Sequence, residues 1–302
     1  MEERKKNKTV ILIVGPTAVG KTAVAIQLAQ QFHTEIISAD SRQCFKELNI
    51  GVARPSKEEL AMVRHHFIAS HSIRDDVTAV SFEQFALQKV TNLFSNYQQV
   101  IMVGGTGLYI KAFCEGLDAI PETEPLLRKK IIAKYDKQGM EWLCNELKEK
   151  DPLFFQQGEM QNPQRMIRAL EVVETTGQSI LYFHQKQSVK RNFSIIKLGL
   201  NLPREELKNR IDARVDAMMN EGLLDEVRAL KPYQNLNALQ TVGYKELFAY
   251  LDNKMSLDEA IERIKISTRQ YAKRQLTWFR KDKEIRWFHP EQIKEMLAYI
   301  SR

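Results

Sequence analysis

A run near the amino terminus has the residue types and spacing of a phosphate cradle. Gly15-Pro16-Thr17-Ala18-Val19-Gly20-Lys21-Thr22 fits the pattern G-x-x-x-x-G-K-[ST]. In such a loop glycines let backbone N–H groups turn inward around phosphate oxygens, and the start of the next helix adds positive potential. Lys21 supplies a mobile charge, and the Thr22 hydroxyl can hold Mg²⁺. The motif implies a diphosphate or triphosphate ligand without saying which. Asp40, in Ser38-Ala39-Asp40-Ser41-Arg42-Gln43, could be a general base, a magnesium-ordering group or a helix N-cap. Gly104-Gly105-Thr106-Gly107 is a second glycine turn, open to close approach by a ligand, with a hydroxyl on Thr106. Arg210 and Arg214 share a helix face, and either could reach a leaving diphosphate or simply meet solvent.

Further on, Arg165 and Arg168 begin a helix after Asn162-Pro163. Arg263, Lys265, Arg269, Lys273, Arg274, Arg280, Lys281 and Lys283 are interleaved with Tyr271, Trp278 and Phe279. Cations beside aromatic faces suit RNA phosphates and unstacked bases, although a surface helix with apolar anchors has the same pattern. His65, His66 and His71 have no acidic or cysteine partner at ligand spacing, so no metal site is expected there.

The elements that must position these residues are legible as periodicity. Val10 to Val14 is a continuous apolar run, the signature of a buried parallel strand. Val24, Ala25, Leu28, Ala29 and Phe32 then recur at helical spacing. Glu35 to Ser38 reads as a second strand, ending before Asp40. Val100 to Val103 is a third, running into the second glycine turn, and Ile195 to Leu202 could add a fourth. Adjacent parallel strands share a crevice at their carboxyl ends, so Asp40 and both glycine turns should meet. The predicted fold class is α/β, a P-loop NTPase-like parallel sheet flanked by helices.

From about Pro121 to Gln187 the pattern changes to helices separated by Gly139, Asp151-Pro152, Asn162-Pro163 and Gly177. This predicts a helical insertion, 121–187, between core segments 1–120 and 188–302. Ser256-Leu257-Asp258-Glu259 resembles a capping box opening a long helix toward Phe279.

The chain has 302 residues, 43% hydrophobic and 27% charged, with a net charge of +7. That balance suits a globular protein, and the excess is compatible with a polyanionic partner. No run is long and apolar enough to span a membrane, and Gly15 follows Arg4-Lys5-Lys6 too soon for a signal peptide. A cytoplasmic location is therefore expected. Cys44, Cys114 and Cys144 show no CxxC spacing, against a zinc site or a disulfide framework.

Several segments together resemble the tRNA dimethylallyltransferase (tRNA isopentenyltransferase) family. They are GPTAVGKT from Gly15, ISADSRQ from Ile37, IGVARPS from Ile50, HHF from His65, VGGTGLYIKA from Val103, NPQRMIRALEV from Asn162, RIDARVDAMMNEGLLDEV from Arg210, QTVGYKE from Gln240 and TRQYAKRQLTWFR from Thr268. Eukaryotic relatives often append a zinc finger, and without its cysteine and histidine pairs the resemblance is to the bacterial form. It implies transfer of a dimethylallyl group from dimethylallyl diphosphate to the N6 amine of the adenosine just 3′ of the anticodon in tRNA, with magnesium required. The phosphate loop would then hold the donor's diphosphate through Gly15, Pro16, Thr17, Ala18, Val19, Gly20, Lys21 and Thr22, with Thr22 toward the metal.

By position Asp40 matches the family's base, Thr17 and Thr106 its site threonines, and Arg214 the arginine near the diphosphate. Arg128, Gln164, Arg165, Met166, Ile167 and Arg168, with Asp40, Ser41, Arg42 and Gln43, match its tRNA contacts. Cys44-Phe45 stands where valine and tyrosine are usual, and Val52 and Arg54 where threonine and lysine are common. A monomer without membrane attachment is expected. The alternatives are a P-loop small-molecule kinase, a prenyltransferase acting on free adenine nucleotides, and a non-catalytic RNA-binding switch.

Overall fold

The computed structural model describes residues 8–184 and 189–301. The basic start at Arg4 and the predicted insertion end at Gln187 lie outside the described residues. The chain divides into two compact units, Met1–Cys114 with Lys190–Arg302, and Glu115–Val189. The second unit thus takes in residues 115–120, ahead of the predicted boundary at 121.

The first unit is built on six strands: β1 (Thr9–Val14), β2 (Ile36–Ser38), β3 (His65–His66), β4 (Gln99–Gly104), β5 (Ser194–Leu200) and β6 (Arg286–Phe288). All pair in parallel, in the order β3-β2-β4-β1-β5-β6. β1 lies inside the sheet, and its side chains alternate between two apolar cores. Val10, Leu12 and Val14 enter one, and Ile11 and Ile13 the other. Both faces being covered, Val10 to Val14 are apolar without interruption, and after Thr9 the strand reads as an unbroken apolar run. β3 and β6, at the two edges of the sheet, were not foreseen, because His65-His66 and Arg286-Trp287-Phe288 are not apolar runs. β5 ends at Leu200 rather than Leu202.

The helix Leu257–Phe279 is capped by Ser256, whose hydroxyl accepts the Glu259 N–H at 3.2 Å. The Glu259 carboxylate does not complete the box, since it takes Arg263 at 2.7 Å instead. A complete box closes a helix the sequence reading passed over, with Ser56 and Glu59 bonded reciprocally ahead of Lys57–Met62. Beside the insertion's entry and exit, Arg191 donates to the carbonyls of Ala112 and Phe113, both at 2.8 Å, and to Glu83 at 2.6 Å.

Among its described residues the second unit has helices and loops and no strand. The span Pro125–Lys150 is two helices meeting at a kink on Gly139, whose φ 74° and ψ −163° are not helical, as the sequence predicts. Asp151 caps Pro152–Gln157 by accepting the Phe154 N–H at 2.9 Å. Asn162 caps Pro163–Thr176, with Pro163 at the first position, where no N–H is missed. Leu143, Leu147, Phe154, Met166, Ile167 and Leu170 form a core of their own. At the neck, the Val189 N–H bonds the Glu115 carbonyl at 2.8 Å.

Candidate active site

The sheet order places β2, β4 and β1 side by side, so the three loops leaving their carboxyl ends are neighbours. These loops carry Asp40, the turn Gly104–Gly107 and the phosphate loop. Their contact is intimate. The Ala39 N–H bonds the Val103 carbonyl at 2.7 Å, and a Cβ on Gly104 would stand 2.2 Å from the Ala39 oxygen. Only glycine permits that approach. The Thr106 hydroxyl accepts the Ser41 N–H at 3.0 Å, tying the second turn to the loop after Asp40.

Asp40 caps its own loop. Its Oδ1 accepts the N–H groups of Arg42 at 2.8 Å and Gln43 at 3.1 Å. No described residue hydrogen-bonds Oδ2. The cap therefore occupies one oxygen and leaves the other without a hydrogen bond to a described residue. Cys44 next to it is buried, and burial together with the Asp40 charge pushes its thiol up to about 12.

Thr17, Asp40, Arg214 and Tyr271 line both a cleft of about 1040 Å³ and an adjoining cavity of about 240 Å³. Lys21, Thr22 and Gln43 also line the larger one. The Lys21 ammonium is held by the carbonyls of Pro16 (2.7 Å) and Gly15 (3.1 Å). Burial lowers its pKa to about 8, with Asp40 opposing and Arg214 adding to the fall. Arg214 is itself lowered by burial, so two cations sit where anionic oxygens would relieve them. Arg210, its helix neighbour, instead pairs with Glu206 at 2.9 Å. Ala18 in the phosphate loop has φ 63°, a left-handed conformation rare for a residue with a Cβ. Such strain is held in place by its surroundings and gathers at ligand-binding turns.

Among the described residues no group of three or more His, Cys, Asp or Glu side chains could hold a metal. Magnesium at a phosphate site needs no such cage, because substrate oxygens and water fill most of its sphere. The Thr22 hydroxyl lines the cleft with Asp40 and makes no hydrogen bond to a described residue. These oxygens fit that requirement.

The family model for IPP transferases matches residues 43–282. This chain belongs to the IPP transferase family. The tRNA dimethylallyltransferase 1 of Bacteroides thetaiotaomicron is 46% identical over 292 residues, covering 97% of this chain and 95% of that protein. A tRNA dimethylallyltransferase of Cytophaga hutchinsonii is 47% identical over 294 residues, with 97% of each covered. The crystal structure of the full-length tRNA isopentenylpyrophosphate transferase from Bacillus halodurans matches with a TM-score of 0.72 at 33% identity, over 97% of this chain and 96% of that one. A eukaryotic dimethylallyltransferase seen acting on tRNA matches with a TM-score of 0.76 at 28% identity, over 97% and 77%.

In this IPP transferase the residues expected at tRNA divide by environment. Arg165 is exposed and pairs with the exposed Glu159. Arg128 and Arg168 straddle the fully buried Glu171, at 2.7 and 3.2 Å, and Arg128 also reaches Gln164 at 3.3 Å. Met166 and Ile167 are 0% and 1% exposed. Their side chains are anchors of the insertion core. Ser41, Arg42 and Gln43 stay beside Asp40. On the basic helix, Lys265 pairs with Asp216 at 2.8 Å and Arg269 with Asp212 at 3.4 Å, while Phe279 is buried.

Gln275, within TRQYAKRQLTWFR, went unremarked as a site residue. It is 6% exposed. Its amide accepts the Thr17 N–H at 2.8 Å and donates to the Gly105 carbonyl at 2.9 Å, stitching the phosphate loop to the second glycine turn. A buried glutamine on a basic helix is the signal that could have drawn attention to it.

Proposed function

We propose that this enzyme transfers a dimethylallyl group from dimethylallyl diphosphate to the N6 amine of the adenosine 3′-adjacent to the anticodon in tRNA. The observation that carries the reading is the convergence of the free Asp40 oxygen with Lys21, Thr22 and Arg214 on one cleft. An adenine amine is a poor nucleophile because its lone pair is delocalised into the ring. The base must leave the anticodon stack so that N6 can meet the first carbon of the donor. As the N6–carbon bond forms, the carbon–oxygen bond to diphosphate breaks, and Asp40 Oδ2 accepts the N6 proton. Lys21, Arg214 and the N–H groups of the phosphate loop stabilise the departing diphosphate. Bound magnesium would add charge neutralisation there, held by Thr22. Water must be kept from the allylic donor, which it would otherwise hydrolyse. Acting on tRNA, the enzyme works in the cytoplasm, as a monomer.

The test is incubation with labelled dimethylallyl diphosphate, magnesium and total tRNA. Label should enter tRNA, and no label in tRNA would reject the reading. Asp40→Asn should slow transfer by about 10²–10⁴-fold, the usual cost of a lost general base. Near-native transfer by that variant would leave only the cap. ATP turnover at an enzyme-like rate, on the order of one per second, would bring back the kinase reading.

A further inference from the structure

Two segments, LLDEV from Leu223 and GYKE from Gly243, take no part in the chemistry above, yet both end on one turn of the cleft wall. Glu226 Oε2 accepts the N–H groups of Asn49 (3.1 Å) and Ile50 (2.8 Å). Its Oε1 accepts the Gly51 N–H (3.1 Å) and the Tyr244 hydroxyl (2.5 Å). Tyr244 is fully buried, and a Cβ on Gly51 would lie 2.6 Å from its ring. The carboxylate thus gathers three successive backbone N–H groups, and the phenol holds both the carboxylate and the space above the turn.

The turn passes this constraint on. The Ala53 N–H bonds the Ile50 carbonyl at 2.9 Å, and Ala53 is left-handed at φ 47°. A non-glycine residue stays in that conformation only when its neighbours over-determine it. The carbonyls of Val52 and Ala53 then accept Gln43 Nε2 at 3.2 and 2.9 Å. The Gln43 N–H, in turn, bonds Asp40 Oδ1 at 3.1 Å. An unbroken series of hydrogen bonds runs from Glu226 to the carboxylate that faces the cleft.

We infer that Glu226 and Tyr244 are positioning residues for the transfer, acting through the 49–54 turn and Gln43 to aim Asp40 at the N6 amine. The inference rests on the reading of Asp40 as the base. Its test uses the full chain carrying Tyr244→Phe, which keeps the ring against Gly51 and removes only the hydroxyl, and Glu226→Gln. Donor affinity, tRNA affinity, thermal midpoint and the single-turnover rate per bound donor are measured on each. Both variants should bind donor and tRNA as the native enzyme does while the rate per bound donor falls by about 10-fold or more, the sensitivity of transfer to a small misplacement. A purely structural clamp would lower the midpoint and the fraction binding donor but leave that rate native. Native rates per bound donor in both variants would therefore overturn the inference. Asp40→Asn, run in parallel, separates the two failures. If it is slow while both clamp variants are fast, the clamp alone is rejected. If it is itself fast, the base falls, and the inference with it.

Discussion

Lys21 titrates close to physiological pH, and the sign of its effect follows from its surroundings. Burial holds its pKa at about 8 against an ordinary 10.5. The ammonium that should meet the donor's diphosphate is present below about pH 8 and lost as pH rises through it. KM for dimethylallyl diphosphate should therefore climb above pH 8, and donor binding there should take up a proton, readable by calorimetry in buffers of different ionisation enthalpy. A KM that stays flat from pH 7 to pH 9 would place Lys21 away from the diphosphate. For folding the sign is set by the same two values. The unfolded chain keeps the proton up to 10.5, so stability rises with pH between about 8 and 10.5. That Lys21 serves an anion was legible in the loop motif. Its depressed pKa was not, because that comes first from burial among segments distant in sequence, with Arg214 adding to it.

At the scale of the element, Arg165 and Arg168 begin one helix and yet should behave differently. Arg165 pairs only with exposed Glu159, so Arg165→Ala should weaken tRNA binding by on the order of 1–3 kcal/mol with the thermal midpoint unchanged. Arg168 answers to Glu171, which is fully buried. Arg168→Ala should destabilise the protein as well, by about 1–3 kcal/mol, through the buried carboxylate it leaves half-paired. Equal midpoints for the two variants would contradict this division. The helix itself was readable from Asn162-Pro163 and Gly177, since caps are local chemistry. The side-chain split was not, because Met166, Ile167 and Glu171 take their burial from packing partners elsewhere in the insertion. Likewise the Glu226 clamp joins residues 175 apart in sequence to Gly51, beyond any local pattern.

Over the whole molecule, the count of 45 lysines and arginines overstates the cations free to meet RNA. Arg263, Lys265 and Arg269 are engaged in intramolecular pairs, whereas Lys273, Arg280, Lys281 and Lys283 form none among the described residues. Affinity for tRNA should fall with salt through counterion release. Lys273→Ala should reduce the log–log slope by about one, and Arg263→Ala should leave it nearly unchanged. Filter binding across a salt series decides this, and identical slopes would mean that the internal pairs open on binding. The parallel sheet was foreseeable from its apolar runs, and its edge strands β3 and β6 were not. One feature of the insertion bears on how such a protein can change over time. Its first and last residues, Glu115 and Val189, are already joined by a hydrogen bond, so the ends of the excursion are closed whatever lies between. The entropy of such a closed excursion grows only slowly with its length. Helices can be added, trimmed or replaced there without reordering the strands of the sheet, so the insertion is free to diverge while the unit built on the sheet stands still.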